Sequence, residues 1–374
     1  MLVTRIRVLG FRNLRAQEAQ LGPGITLLHG PNGSGKTNLL EALYVALAGR
    51  SCRTRSDREA IAFGEPMARV EVELGEAESP ATFLWSLTRG ADRRHLCDGA
   101  PTSAEAAARR PPLAVFLPDR LTLVKGPPTE RRAHVDGLLA ALWPARADAR
   151  RRYGRALAQR NALLGRVLAG MAPADSLEAW EIELAAAGLD LMEARRDAVD
   201  LLAPEFAAAA ADLGLPGEAS LGYAPRSKAT TRDELASELA ERRPSDLERG
   251  YSQHGPHLDE LEIALDGRSV RRYASQGEQR TSLLALLFAE RRALLGARRQ
   301  PPLLLLDDVM SELDPDRREL LATRLADGPG QALITATEPG HLPSAAARAE
   351  VAMREGSANP RIAPAEPAPR AFAA

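Results

Sequence analysis

Eight consecutive residues, Gly30-Pro31-Asn32-Gly33-Ser34-Gly35-Lys36-Thr37, have the Gly-x4-Gly-Lys-Ser/Thr spacing of a phosphate-binding loop. The glycines let the backbone curl so that its N–H groups face an anion. A helix starting immediately afterwards aims its positive end at the same point. Lys36 is then placed to contact the β- and γ-phosphates of a nucleoside triphosphate, and Thr37 to offer its hydroxyl to Mg²⁺. The flanking sequence supplies both elements. Gly24 to His29 reads as a short buried strand, and Asn38 to Leu47 as a helix whose apolar face is Leu39, Leu40, Ala42, Leu43, Val45 and Ala46. Only Lys36, Lys125 and Lys228 among the 49 basic residues are lysines. A compact ammonium fits between phosphates where a planar guanidinium does not, so the lysine in this loop argues against a mere strand-to-helix turn.

Two further patterns extend the chemistry. Leu303 to Leu306 is an apolar strand ending in Asp307-Asp308. A carboxylate at the C-terminal end of a buried strand can reach Mg²⁺ beside a phosphate loop, which is the role expected of Asp307; Asp308 is then placed to orient or deprotonate an attacking water. Ser275-Gln276-Gly277-Glu278-Gln279-Arg280 opens a long helix, expected over Ser275–Leu295. Ser275 and Glu278 form a capping box, but that does not account for Gly277, a poor helix residue in a first turn. A glycine there admits another molecule's phosphate, which points to a γ-phosphate held by a second subunit. Ser311-Glu312-Leu313-Asp314 is read equally as a subunit-contact loop or as a helix start with Asp314 as N-cap and Pro315 behind it.

The elements that must position these residues form an α/β chain of 374 residues, long enough for two domains or for one domain with a large insertion. Residues 1–112 read as a β-rich lobe with the phosphate loop, including strands around Val70–Leu74 and 82–88 and a hairpin turn at Asp98-Gly99. Residues 113–254 read as an insertion whose 129–213 stretch is helical. A break at Gly170–Asp175 divides it, and Asp175 with Glu178 is a candidate capping box. Either two arms of about 60 Å or a kinked bundle fits this stretch. Residues 255–355 return to the ATPase, with a helix at Pro315–Leu325 and a strand at Gln331–Ala336; residues 356–374 read as a disordered tail. The composition is 45% apolar and 26% charged, with net charge −1. No apolar run approaches a membrane span, and the two cysteines set no disulfide or metal framework. The expectation is a cytoplasmic protein without a membrane partner, and charge alone gives no support for nucleic-acid binding.

Phosphate loop, Ser-x-Gly-x-Gln helix start, acidic strand end and Ser-x-x-Asp loop occur here in the order of ABC-type ATPases. Within these the chain resembles the SMC-like group and specifically the RecF family. The resemblance rests on Phe11-Arg12-Asn13, Gly30 to Leu40, Leu123-Val124-Lys125-Gly126, Gln159 to Leu164, Gly255-Pro256-His257, Ala274 to Thr281 and Leu304 to Asp314, in order over residues 1–340. It implies an ABC/SMC-like ATPase head with a helical insertion that binds ATP and Mg²⁺ and dimerises on ATP. Arg12, Asn13, the loop Gly30–Thr37 and Asn38 would bind nucleotide, and Ser275, Gly277 and Gln279 of a second copy would close the pocket. It further implies DNA binding at gaps and single-strand/double-strand junctions, with RecR and RecO as partners and RecA loaded indirectly. The chain departs from the pattern in having Leu258 where arginine is usual and Asp308 where ABC relatives carry glutamate, so slow hydrolysis is expected. No switch histidine follows Ala336, leaving Thr335 or Thr337 for that place, and no lobe-joining glutamine stands near Phe116–Asp119.

For DNA, Arg150, Arg151, Arg152, Arg155 and Arg160 form the densest basic cluster, and Arg53, Arg55 and Arg58 a second. Each cluster is weighed against a solvated face paired with acidic neighbours. The competing functions are a transporter's nucleotide-binding subunit, a structural SMC-like clamp and a P-loop kinase. The first normally lacks so large an insertion, the second needs longer arms, and the third leaves Ser275–Gln279 unexplained.

Overall fold

The computed structural model describes residues 2–54, 56–75, 81–103, 106, 109–117, 121–342, 349–354 and 362–364. The chain divides into two compact units, residues 1–118 with 298–374, and residues 119–297. These limits differ from the expected ones at 112/113 and 254/255. The strand Leu113–Phe116 falls in the first unit, and the Ser275 helix, but for its last residue Arg298, in the second.

The first unit has two sheets around one helix. Strands β1 (Leu2–Phe11), β2 (Leu14–Gln20), β4 (Met67–Gly75), β5 (Ala81–Thr88), β6 (Arg94–Cys97) and β7 (Ala100–Pro101) form an antiparallel sheet in the order β2-β1-β4-β5-β6-β7. Alternation decides its faces: Val70, Val72 and Leu74 are buried while their neighbours are less so. Asp98 and Gly99 both have positive φ, 50° and 80°, which makes the tight turn between β6 and β7. The second sheet has the order β15-β14-β3-β13-β12-β8, from β3 (Ile25–His29), β8 (Leu113–Phe116), β12 (Leu303–Leu306), β13 (Ala332–Ala336), β14 (Ala349–Ala352) and β15 (Ile362–Pro364). Its strands are parallel except β15, which runs antiparallel to β14. The expected disordered tail thus contributes a strand at 362–364; the rest of 356–374 lies outside the described residues, as do Pro118 and Asp119.

Helix α1 (Lys36–Ala48) joins the two sheets through one core. Leu39, Leu40, Leu43 and Leu47 pack with Val3 and Ile6 of β1, Val70 and Val72 of β4, and Leu303, Leu305 and Leu333 of the parallel sheet. Helix α9 (Pro315–Asp327) completes the unit and is capped by Asp314, whose carboxylate accepts from Arg317 N–H at 3.0 Å. The helix-start reading of Asp314 is the observed one.

The second unit contains α2 (Leu121–Lys125), α3 (Pro128–Leu142), α4 (Ala149–Leu168), α5 (Leu177–Asp212), α6 (Arg232–Arg249), α7 (Val270–Tyr273) and α8 (Gln276–Arg298). A small antiparallel sheet, β11 (Arg268–Ser269), β10 (Glu260–Leu265) and β9 (Ala219–Ala224), accompanies them. The helices bundle around Tyr153, Ala156, Leu184, Leu191, Met192, Leu235 and Leu239 rather than forming two long arms. The break expected at 170–175 is real: Gly170 at φ 71° ends α4, with Met171 N–H bonded to Arg166 O at 2.8 Å in a Schellman arrangement. The capping box expected there does not form. A 3-10 turn over Ala174–Ser176 feeds α5 directly, and no side chain caps it. Thr231 and Glu234 make that motif at α6 instead, and Ser275 with Glu278 at α8, as its sequence indicates.

Candidate nucleotide site

In the parallel sheet β3, β13 and β12 are neighbours, so all three C-terminal ends lie at one edge, where ligands of α/β sheets bind. The phosphate loop follows β3, Thr335 sits near the end of β13, and Asp307-Asp308 follows β12. Gly35 has φ 99° and caps α1; a Cβ there would stand 2.5 Å from Leu14 Cδ2 and 2.9 Å from Asn13 Oδ1. Gly30, at φ 154°, would drive a Cβ to 2.1 Å from Met353 O. Glycine is required at both positions by steric room as much as by φ.

Side chains from distant segments brace the loop. Asn13 Nδ2 donates to Gly33 O at 2.7 Å, and its Oδ1 accepts from Asn38 at 2.7 Å. Lys36 Nζ donates to Gly30 O at 2.7 Å and Pro31 O at 2.9 Å, crossing the loop. Burial lowers the Lys36 ammonium pKa while Asp308 and Asp307 oppose that fall. Thr37 Oγ1 lies 2.9 Å from both oxygens of Asp307, and Thr335 Oγ1 donates to Asp307 Oδ1 at 2.7 Å. Thr335 also accepts from Asp308 N–H at 2.8 Å. Of the two threonines considered, Thr335 is therefore the one tied to both aspartates. Burial pushes the Asp307 carboxyl above its ordinary range, with Asp308 adding to that, while Thr335, Thr37 and Arg53 resist it.

Two orphaned polar atoms suit a bound phosphate with its cation and water. Ser34 Oγ in the loop and Asp308 Oδ1 are buried without a partner among the described residues. Asp308 has φ 49°, the left-handed region, so the chain turns sharply where it leaves β12. The Thr37 hydroxyl and Asp307 carboxylate are hard oxygen donors of the kind Mg²⁺ takes alongside phosphate oxygens.

The AAA domain family matches residues 5–93. The DNA replication and repair protein RecF of Anaeromyxobacter sp. (strain Fw109-5) is 39% identical over 351 residues, 90% of this chain and 93% of that protein. The chain belongs to the RecF family. The RecF of Heliobacterium modesticaldum is 35% identical over 349 residues, 90% and 92% of the two chains. A solved structure described as the recombination mediator protein RecF with ATPrS in the RecFOR pathway aligns with TM-score 0.85 at 25% identity, over 96% of this chain and 97% of that one. An Smc head bound to ScpA aligns at TM-score 0.61 and 16% identity, which shows the same ABC/SMC-like ATPase-head fold.

In this RecF-family chain the other sequence-nominated residues divide. Arg12 is held by its buried neighbour: its guanidinium grips both oxygens of Glu41, at 2.8 and 3.1 Å, and donates to Glu59 O at 2.9 Å. Glu41 also accepts from Ser51 and Arg53. Burial would raise its carboxyl pKa, but these partners hold it below the ordinary range. This clamp under the loop went unnoticed in sequence; its signal was a glutamate on an otherwise apolar helix. Ser275 and Gly277 are exposed at the start of α8 in the second unit. Gln279 is not: its Nε2 donates to Val270 O and Ala274 O, at 3.2 and 3.1 Å, so it shapes the turn before the helix instead of facing outward.

The nominated DNA cluster divides: four arginines are exposed and paired with acidic neighbours, and Arg160 is removed from it by burial. Arg150 pairs with Asp136, Arg151 and Arg155 with Asp148, and Arg152 with Asp190. Arg160 is fully buried between Asp246 at 2.6 Å and Glu181 at 3.0 Å. It lies on the stripe Tyr153, Ala156, Arg160, Leu164 that faces the core, a period visible in the sequence. In the second cluster Arg53 binds Asn38 and Glu41, Arg58 is exposed, and Arg55 lies outside the described residues.

Proposed function

We propose that this RecF-family protein is an ATP-dependent, DNA-binding recombination mediator and slow ATPase whose dimerisation is controlled by ATP. Gly30–Thr37 would cradle the phosphates, with Lys36 swinging from the loop carbonyls to the β- and γ-oxygens and Asn38 and Asn13 bracing the loop from behind. Thr37 and Asp307 would hold Mg²⁺, which when bound neutralises phosphate charge. Asp308, with its unpartnered oxygen, would orient the attacking water. Its carboxylate is one methylene shorter than glutamate, which supports slow hydrolysis. Ser275 and Gly277 would close the site on a second copy's γ-phosphate from an exposed helix N-terminus. Gln279 would act by fixing that helix start.

The observation that carries the reading is the Thr37–Asp307–Thr335 bridge, which joins loop, acidic strand end and third strand into one site. The solved structure described as a recombination mediator in the RecFOR pathway supports RecR and RecO as partners; RecA as the protein loaded, and gapped or single-strand/double-strand junction DNA as the substrate, rest on the family resemblance. The proposal is tested by ATPase rate and sedimentation with ATP and single-stranded, duplex or gapped DNA. Gapped DNA should raise the rate and favour a dimer; indifference to every DNA would refute the mediator role. Asp308→Asn should slow hydrolysis at least about tenfold. The transporter-subunit reading is not favoured, because the relatives that share nine-tenths of the chain are DNA replication and repair proteins. No helix among the described residues is long and apolar enough to cross a membrane.

A further inference from the structure

In the second unit β10 is fully paired on one side only. β9 covers Glu260–Leu265, whereas β11 covers just Ala264 and Leu265 before the chain turns into α7. Residues 260–263 therefore present an open backbone edge about 14 Å long. Leu265 pairs with Arg268 across the two-residue turn, so by alternation the Leu261 N–H also faces this edge, where the Glu260 carboxylate caps it at 2.9 Å and an incoming strand would displace that side chain. Backbone groups alternate along an antiparallel strand, so Ile263 directs its N–H and C=O the same way. A groove of about 410 Å³ lies here, lined by Val124, Ile263 and Ala264 and walled by Arg271, Arg272 and Tyr273 of α7.

The charge of the groove is lopsided. Glu260 is neutralised by Arg131 at 2.6 Å. Arg271 Nε reaches only the carbonyl of Lys125, at 3.1 Å, and among the described residues Arg271, Arg272 and Lys125 form no ion pair. Glu262 alone opposes them. Tyr273 is 70% exposed, an amphipathic ring at the rim.

We propose that this edge accepts an extended acidic segment of a partner protein as an added β-strand. The alternating backbone donors and acceptors over an apolar floor match a peptide, and the unpaired arginines match its acidic side chains. The site also adjoins the start of α8. Gln279 ties Val270 O and Ala274 O, which flank the groove-lining residues of α7, to the helix that opens with Ser275 and Gly277. Occupation of the groove therefore biases that helix start, and with it dimerisation. This coupling rests on the function proposed above; the docking itself does not.

The test uses the full chain and a fluorescein-labelled ten-residue peptide alternating glutamate and valine, read by anisotropy. Saturable binding is expected. N-methylation of the amides on one alternate set should weaken it about tenfold or more, while the other set leaves it unchanged, as only one edge of a strand pairs. Arg271→Glu with Arg272→Glu, at unchanged melting temperature, should also weaken it at least about tenfold. No saturable binding up to about 1 mM, or equal response to both methylation patterns, overturns the proposal. So does a single-stranded oligonucleotide that displaces the peptide and binds the same arginines more tightly. Peptide binding without any change in the ATP-dependent dimer fraction overturns the coupling alone.

Discussion

Truncating Arg160 separates a structural arginine from a DNA-binding one. Its Nη1 donates to Asp246 at 2.6 Å and Ser252 at 2.7 Å, and its Nη2 to Glu181 at 3.0 Å and Leu239 O at 3.3 Å. In Arg160→Ala, Glu181 keeps Arg243, which grips both of its oxygens. Asp246 keeps only the Gln253 N–H, at 3.0 Å, and no cation. It is fully buried, so its charge is left uncompensated. Breaking a buried pair in this way costs about 3–5 kcal/mol. For a unit of this size each kcal/mol moves the melting temperature by about 2–4 °C, so a fall of about 10 °C is expected by calorimetry or circular dichroism. Arg151→Ala with Arg155→Ala is the control: both face Asp148 in solvent, and their loss should cost less than about 1 kcal/mol per pair. An Arg160→Ala protein that melts like the wild type and loses DNA affinity would refute the structural assignment.

Three further outcomes follow from the nucleotide site. Gly35→Ala forces a Cβ into Leu14 and Asn13 at positive φ, so calorimetry should show about 1–3 kcal/mol of lost stability together with lost nucleotide binding. Asp307→Asn should stabilise the nucleotide-free protein by about 0.5–2 kcal/mol at neutral pH while weakening Mg²⁺-dependent ATP binding, as measured by urea denaturation and titration calorimetry. The sign follows from its raised pKa: the folded state holds this proton more readily than the unfolded, so the group's contribution falls as pH rises from near 3.8 through its folded value, and the asparagine removes that slope. A destabilised Asp307→Asn would contradict it. Glu41→Ala should lower stability by about 1–3 kcal/mol by taking the carboxylate from Arg12 and Arg53, which keep Glu59 O and Asn38, an effect that urea titration reads directly.

The geometry of the candidate site was legible in sequence wherever local rules act alone. Gly30 and Gly35 announce a backbone that no Cβ tolerates, and four leucines ending in two aspartates announce a buried strand with its carboxylates at one end. The capping box of Ser275 and Glu278 is a four-residue pattern and formed as written. Asp175 and Glu178 carry the same pattern and did not form it, because the 3-10 turn from Pro173 already sets the helix direction. Pairings across the chain were illegible: nothing local joins Arg12 to Glu41, Thr335 to Asp307, or 362–364 to β14. Arg160 lies between these cases. Its place on an apolar stripe was visible, but its partners Asp246 and Glu181 lie 86 and 21 residues away.

The central claim, that the phosphate loop is half of a site completed by a second copy, is tested most directly by sedimentation of Gly277→Asp with saturating ATP and Mg²⁺. The position is exposed in the first turn of α8, where aspartate suits the helix dipole and leaves the fold intact. The variant should bind ATP as tightly as the wild type through its own Gly30–Thr37 loop yet remain a monomer, because its carboxylate meets the partner's γ-phosphate. An ATP-dependent dimer of undiminished affinity would contradict the composite site.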